Sequence, residues 1–409
     1  MTSPTPLTPP VAEAVRARCE ARAGWAQALL RRLVEIESPS TEPQRQLACL
    51  DVLATELDRL GFACRHLLGR TTGGQLYARP APRSKAQPVQ LLLGHADTVW
   101  PAGTLQSMPL VEREGRLHGP GVFDMKGGLT QMLLALDTLD ALGLDPPATP
   151  VVFVNTDEEI GSFESMHWVE RLARCAARTF VVEPALGLDG RLKTARKGVG
   201  KFRVVVQGRA SHAGLDPEGG ASAILELSHV IQALHALNDP ARGISVNVGM
   251  IEGGQRPNVV APESRAVVDV RVPTVEDARA IEDHILGLQA ITPGALLSIT
   301  GRVGRPPLER TPRNRRLWHQ AKEAAALLGI PLDEGMAGGG SDGNTTSLYT
   351  ATLDGLGAVG DGAHAIHEFA FLDRIPERAA LLALLLLAPV DPPEPVSAVS
   401  VEDAAISPS

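Results

Sequence analysis

Residues 89–99 read Val-Gln-Leu-Leu-Leu-Gly-His-Ala-Asp-Thr-Val. The run Val89–Leu93 carries no charge and is closed by glycine. Such a run reads as a strand buried on both faces rather than one with a wet side. The same design recurs twice. Val151–Val154 runs into Asn-Thr-Asp-Glu-Glu, ending at Glu159, and Phe180–Val182 runs into Glu183. Between the first two runs, Lys126–Leu142 reads as a helix. Buried strands alternating with helices give an α/β class, a sheet covered by helices on both faces. In open sheets of this kind ligands bind at the carboxyl ends of the strands, and here the charged residues follow the strands directly.

Outward from that core, the first ten residues are rich in Pro and Thr and are expected to be disordered. A long amphipathic helix is expected over Val11–Glu37 and a second over Gln44–Leu60. The pattern changes near Arg196. Lys201–Gln207 reads as a strand, Ala221–Leu237 as a helix, Ile244–Ile251 and Ala266–Val272 as strands, Val275–Gln289 as a helix and Leu296–Arg302 as a strand. That β-α-β-β-α-β order is a ferredoxin-like unit. The expected organisation is one domain over 11–195 and 309–390, an inserted domain over 196–308, and a mobile tail over 391–409. The first domain resumes with a helix over Asn314–Leu328 and closes with Arg374–Leu387.

Composition narrows the function. The 409 residues suggest two domains. The net charge of −8 argues against a nucleic-acid partner, which calls for a basic field. The most apolar run, Ala379–Pro389, is too short for a membrane span and reads as a buried helix. Four scattered cysteines without a C-x-x-C pair, and no basic-then-apolar leader, lead us to expect a cytoplasmic protein with reduced thiols and no thiolate zinc site.

Four clusters carry the chemistry. His95 and Asp97, two apart on an extended chain, face the same way. A metal-bound histidine commonly donates its second ring N–H to a carboxylate. Asp124 lies in the glycine-rich loop GPGVFDMKGG (119–128), where it could equally cap a helix. Asp157, Glu158 and Glu159 crowd three carboxylates at an apolar strand end, a cost that a cation removes. Glu183 stands alone after the third strand. One histidine with several carboxylates suits zinc, cobalt or manganese, and the excess of carboxylates suggests two ions sharing a bridge. The stretch GDGAHAIHEF (360–369) adds His364 and His367, and chemistry alone leaves open which is the further ligand. Gly339-Gly340-Ser341-Asp342-Gly343 matches G-x-S-x-G. That elbow needs a preceding strand, and the acidic, glycine-rich Leu332–Gly338 does not read as one.

In order and spacing, GHADTV, GPGVFDMKGG, NTDEEIGS, VVEPA, GRASHAG, GGGSDGN and GAHAIHE resemble the two-zinc metallohydrolases that include glutamate carboxypeptidase, aminoacylase, acetylornithine deacetylase and succinyl-diaminopimelate desuccinylase. The resemblance runs from about Leu29 to Leu387, and the stretches 208–224 and 253–272 look most like the glutamate carboxypeptidase branch. It implies a mixed-sheet catalytic domain with an inserted dimerisation or lid domain. It implies two zinc ions per subunit, or cobalt or manganese: one held by His95, Asp124 and Glu183, the other by Asp124, Glu159 and His364, with Asp124 bridging. The four-residue step from His364 to Glu368 favours His364 over His367. Glu158 would be the general base and Asp97 the support of the histidine. His212, of GRASHAG, would enter the partner subunit's cleft in a homodimer and stabilise the oxyanion. Asn258 and Arg271 would bind the substrate's carboxylate end. The implied reaction is amide hydrolysis of a small peptide or N-acyl amino acid, releasing a C-terminal residue such as glutamate, with N-acyl-amino-acid deacylation as the alternative. No membrane or nucleic-acid partner is expected.

Overall fold

A computed structural model of the chain describes residues 5–82 and 86–390. The expected tail 391–409 lies outside them. The described residues fall into two compact units, one reaching to Leu192 and taking in Arg313–Asp333 and the chain from Thr346 onward, the other formed by Lys193–Pro312 and Glu334–Thr345.

The first unit is built on a six-stranded sheet in the order Phe62–Leu67, Gln75–Pro80, Thr149–Asn155, Val89–His95, Ala176–Val181 and Ala351–Leu353. The first two pairings are antiparallel, and the other three are parallel. The three apolar runs are therefore the parallel core, and Thr149–Asn155 is buried at every residue. His95 pairs with Asn155 and Leu93 with Val181. That register brings His95, the Asp157–Glu159 turn and Glu183 to one carboxyl edge. Gly127–Ala141 is buried along its length through Leu139, and Arg374–Leu387 from Arg378 to Leu387. The apolar run near residue 380 is thus a core helix.

Two expectations are corrected in this unit. The single helix over Val11–Glu37 is two helices, Pro9–Ala21 and Ala23–Glu35. The break is at Arg22, whose guanidinium reaches the buried Asp137 at 3.3 Å and stacks over Trp25 at 4.6 Å. The expected disorder through residue 10 does not extend over 5–10. The Thr5 amide donates to the Asp145 carbonyl at 3.1 Å, and a helix begins at Pro9.

The second unit contains a four-stranded antiparallel sheet ordered Ser245–Gly253, Glu263–Val272, Gly198–Gln207, Leu296–Arg305. With the helices Ala223–His235 and Val275–Leu286, this is the ferredoxin-like order. Burial alternates along Gly198–Gln207 and Glu263–Val272, as a sheet with one covered face requires. The hydroxyls of Ser222 and Thr274 accept amides of the first turns and set where the helices begin. Glu334–Ala337, expected not to be a strand, pairs with Leu192–Arg196. Its neighbours explain why a polar, glycine-containing stretch can extend: Arg196 donates to the carbonyls of Gly339 and Gly340 at 3.1 Å, and Asn344 donates to those of Lys197 and Pro306 at 3.2 and 2.7 Å. Ser341 itself is fully buried and its hydroxyl accepts the Gly343 amide at 3.0 Å. A nucleophile elbow presents its hydroxyl outward instead.

Candidate metal centre

His95 ends its strand with its ring buried. Nδ1 faces the Asp97 carbonyl at 3.0 Å and the Asp97 carboxylate at 3.4 Å. Nε2 points the other way, 3.4 Å from Asp124 and 3.5 Å from Glu183. His364, in a turn where it adopts φ 62°, brings its Nε2 to 3.5 Å from the second oxygen of Asp124 and 3.1 Å from Glu159. Asp124 thus offers one oxygen to each histidine. Glu158 completes a group with His95 and Glu183 whose candidate ligand atoms lie within 4.8 Å of one another; His95, Asp124 and Glu159 form a second such group. His367 is exposed and makes none of these approaches.

The distances discriminate between two kinds of site. A charge-assisted N–H···O⁻ bond closes to about 2.7–2.9 Å. Two donors bound about 2.1 Å from one tetrahedral ion stand about 3.4 Å apart. Of the four carboxylate separations measured from the Nε2 atoms, three are 3.4–3.5 Å, the spacing of shared coordination. Glu159 Oε1 is also buried without a hydrogen-bond partner. The electrostatics agree. Burial pushes the His95 pKa down, yet Asp124, Asp97 and Glu183 outweigh it and hold His95 well above its ordinary value. Asp124 and Glu159 raise His364 to about 10, and burial raises Glu159. Carboxylate charge this dense is balanced either by protons on the imidazoles or by divalent cations, and only the second leaves imidazole nitrogens as ligands. The residues present fit a divalent-metal centre.

Asp97 has a wider task than its neighbour His95 suggests. It is wholly buried, accepts the Ser40 hydroxyl at 2.7 Å, and accepts the amides of Glu158 and Glu159 at 3.3 and 3.2 Å. One carboxylate therefore orients the histidine and the turn bearing both glutamates.

The model of Peptidase family M20/M25/M40 matches residues 91–388, a span that holds every residue of this centre. The chain belongs to the M20/M25/M40 peptidase family. Carboxypeptidase G2 of a Pseudomonas species is 29% identical over 370 residues, covering 88% of this chain and 88% of the relative. Succinyl-diaminopimelate desuccinylase of Xylella fastidiosa is 26% identical over 381 residues, covering 86% and 97%. The structure of the aminopeptidase PepT from Bacillus cereus superposes with a TM-score of 0.71 at 19% identity, covering 88% of this chain and 98% of that one. The M20/M25/M40 family is one of metal-dependent hydrolases.

Three further candidates of this M20/M25/M40 family member lie in the second unit. His212 is exposed, and its Nδ1 accepts the amides of Gly214 and Leu215, each at 3.1 Å. An Nδ1 that accepts is unprotonated, so the neutral ring carries its proton on Nε2, as a donor. Asn258 is exposed, and its carbonyl accepts the Ala213 amide at 3.0 Å. Arg271 holds Asp269 through two bonds of 2.8 and 3.1 Å. A substrate carboxylate there would have to share the guanidinium.

Sequence reading missed the frame around Asp124. Lys126 is buried, donates to the Ile36 carbonyl at 2.8 Å, and has its pKa lowered by burial. Ser40 and Trp100 also bear on the centre, through Asp97 and Glu368. Nothing in their local sequence marks them, because each acts through a contact distant along the chain. Only the four-residue step from His364 hinted at Glu368.

Proposed function

We propose that the chain is a dinuclear zinc exopeptidase that cleaves the amide bond of a small peptide or N-acyl amino acid and releases its C-terminal residue, glutamate foremost. The observation that carries this is the position of Asp124, with one oxygen toward His95 and the other toward His364. His95, Asp124 and Glu183 would hold one ion, and Asp124, Glu159 and His364 the other. When bound, the ions supply Lewis acidity and lower the pKa of the attacking water.

The remaining steps belong to side chains. Glu158 takes a proton from water as the new C–O bond forms and passes it to the amine as the C–N bond breaks. Asp97 keeps Glu158 and Glu159 in place through their amides. The Nε2–H of His212 donates to the oxyanion, in the cleft of the partner subunit of a homodimer formed through the inserted domain, 196–308. Asn258 and Arg271 receive the substrate's carboxylate end. The dimer, these roles and a cytoplasmic location are part of the proposal. Among the described residues no helix is long and apolar enough to cross a membrane.

Carboxypeptidase G2 among the relatives supports the carboxypeptidase reading. The desuccinylase supports the alternative, an N-acyl-amino-acid deacylase with the same centre and another pocket. A hydrolysis screen separates them. N-acyl-glutamate and glutamate-terminated dipeptides are expected to turn over faster than N-succinyl or N-acetyl diamino acids, and the reverse order would establish the deacylase.

A further inference from the structure

We infer that Glu368 is a positioning residue that sets the distance between Asp124 and His364, and with it the affinity of the ion those two would share. The inference rests on the metal centre proposed above.

Glu368 is fully buried in the first unit, and its carboxylate accepts four N–H groups. Oε1 takes the amides of Phe123 and Asp124 at 3.0 and 3.1 Å. Oε2 takes the amide of Gly121 and the indole N–H of Trp100, both at 2.9 Å. Three of the four donors lie in the loop that presents Asp124. At the backbone, Glu368 is fixed to the His364 turn. Its amide donates to the Ala365 carbonyl at 2.9 Å, and the Ala365 amide donates to Gly362 at 2.8 Å. A Cβ on Gly362, which has φ +82°, would meet the Glu368 Cα at 2.8 Å. The turn thus closes on Glu368 too tightly for any residue but glycine. One side chain therefore grips the Asp124 loop while its own backbone carries His364.

A buried carboxylate surrounded by N–H donors admits no isosteric replacement. Glutamine keeps one oxygen and sets its NH₂ group against one of the two N–H pairs. The Asp124 loop has to move away, and the donor spacing around the shared ion moves with it. Asp124 would also serve the ion nearer Glu183, but His364 would not, so the larger effect falls on the ion that Asp124 and His364 would share.

The test is a chelator-competition titration of the full chain with Co²⁺, read by the visible absorption spectrum, for wild type, Glu368→Gln and Trp100→Phe. For Glu368→Gln we expect one of two dissociation constants to rise about 10–100-fold, as loss of a group supporting a ligand commonly does, with a changed cobalt spectrum. Trp100→Phe, which withdraws one donor and spares the carboxylate, should show a smaller shift in the same ion. A folded Glu368→Gln chain with both affinities and the spectrum unchanged overturns the inference, as does a lower melting temperature with an unchanged spectrum, the sign of a role in stability alone. Should Glu368→Gln not fold, an unchanged Trp100→Phe titration overturns it. Wild-type protein that binds no cobalt overturns the metal centre itself, a result distinct from the others.

Discussion

Replacing Asp97 by asparagine keeps the size of the side chain and removes its charge. In the native site Oδ2 accepts Ser40 and the Glu159 amide, and Oδ1 accepts the Glu158 amide and faces His95. The least costly placement of the new NH₂ group is toward Ser40, whose hydroxyl can turn round and accept. The Glu159 amide then loses its acceptor inside the protein. An unsatisfied buried donor costs about 1–3 kcal/mol. That corresponds to a Tm lowered by roughly 3–10 °C for a unit of this size. The same loss loosens the turn bearing the proposed base and a proposed ligand, so metal affinity or kcat should fall about 10–100-fold. Thermal melts, metal content after dialysis, and steady-state hydrolysis of an N-acyl glutamate read the three quantities. An Asp97→Asn protein with native Tm, metal content and kcat would refute the view that Asp97 holds the glutamate turn.

Further outcomes follow from other contacts. His364→Ala should lower metal content toward one ion per chain while His367→Ala leaves it unchanged, since only His364 approaches Asp124 and Glu159; metal analysis of both variants checks this, and the opposite pattern reassigns the ligand. Mixing inactive His212→Ala with inactive Glu158→Gln should restore activity if His212 serves the partner's cleft, because one site in each hybrid dimer has both groups; flat activity despite subunit exchange removes that role. Asp137, nearly buried, has burial acting to raise its pKa, but Arg59, Arg22 and Arg18 outweigh it and hold the pKa below the ordinary value. A depressed carboxylate pKa stabilises the fold above the unfolded value and loses that contribution as pH falls through the folded one. The Tm deficit of Asp137→Asn should therefore be largest near neutrality and shrink below about pH 4, and a deficit independent of pH refutes the ion-pair account.

The parallel core was readable because its strands are apolar on both faces and run straight into charged residues, as Val89–Leu93 runs into His95. The ferredoxin-like order was readable because period-two and helical patterns alternate cleanly there. The strands Phe62–Leu67 and Gln75–Pro80 escaped because Arg65, His66 and Arg79 are mixed with their apolar residues. Glu334–Ala337 escaped because its extension comes from pairing with a strand some 140 residues earlier, not from its own propensity. In the centre, His95, the Asp157–Glu159 turn and Glu183 were visible as strand-end clusters, and Asp124 and His364 as members of glycine-containing loops. The residues that hold them were not. Ser40, Trp100 and the four-donor seat of Glu368 exist only once distant loops meet, and no local spacing encodes a hydrogen bond across 244 positions.

The account's central claim is that two divalent cations at Asp124 make the chain a hydrolase. Its most direct test is activity against metal equivalents, measured on chelator-stripped protein titrated with zinc or cobalt beside Glu158→Gln. The account predicts no activity in the stripped wild type, recovery that saturates at two equivalents per chain, and a Glu158→Gln protein that binds both ions yet loses several orders of magnitude in kcat. Full activity in rigorously metal-free protein would contradict it.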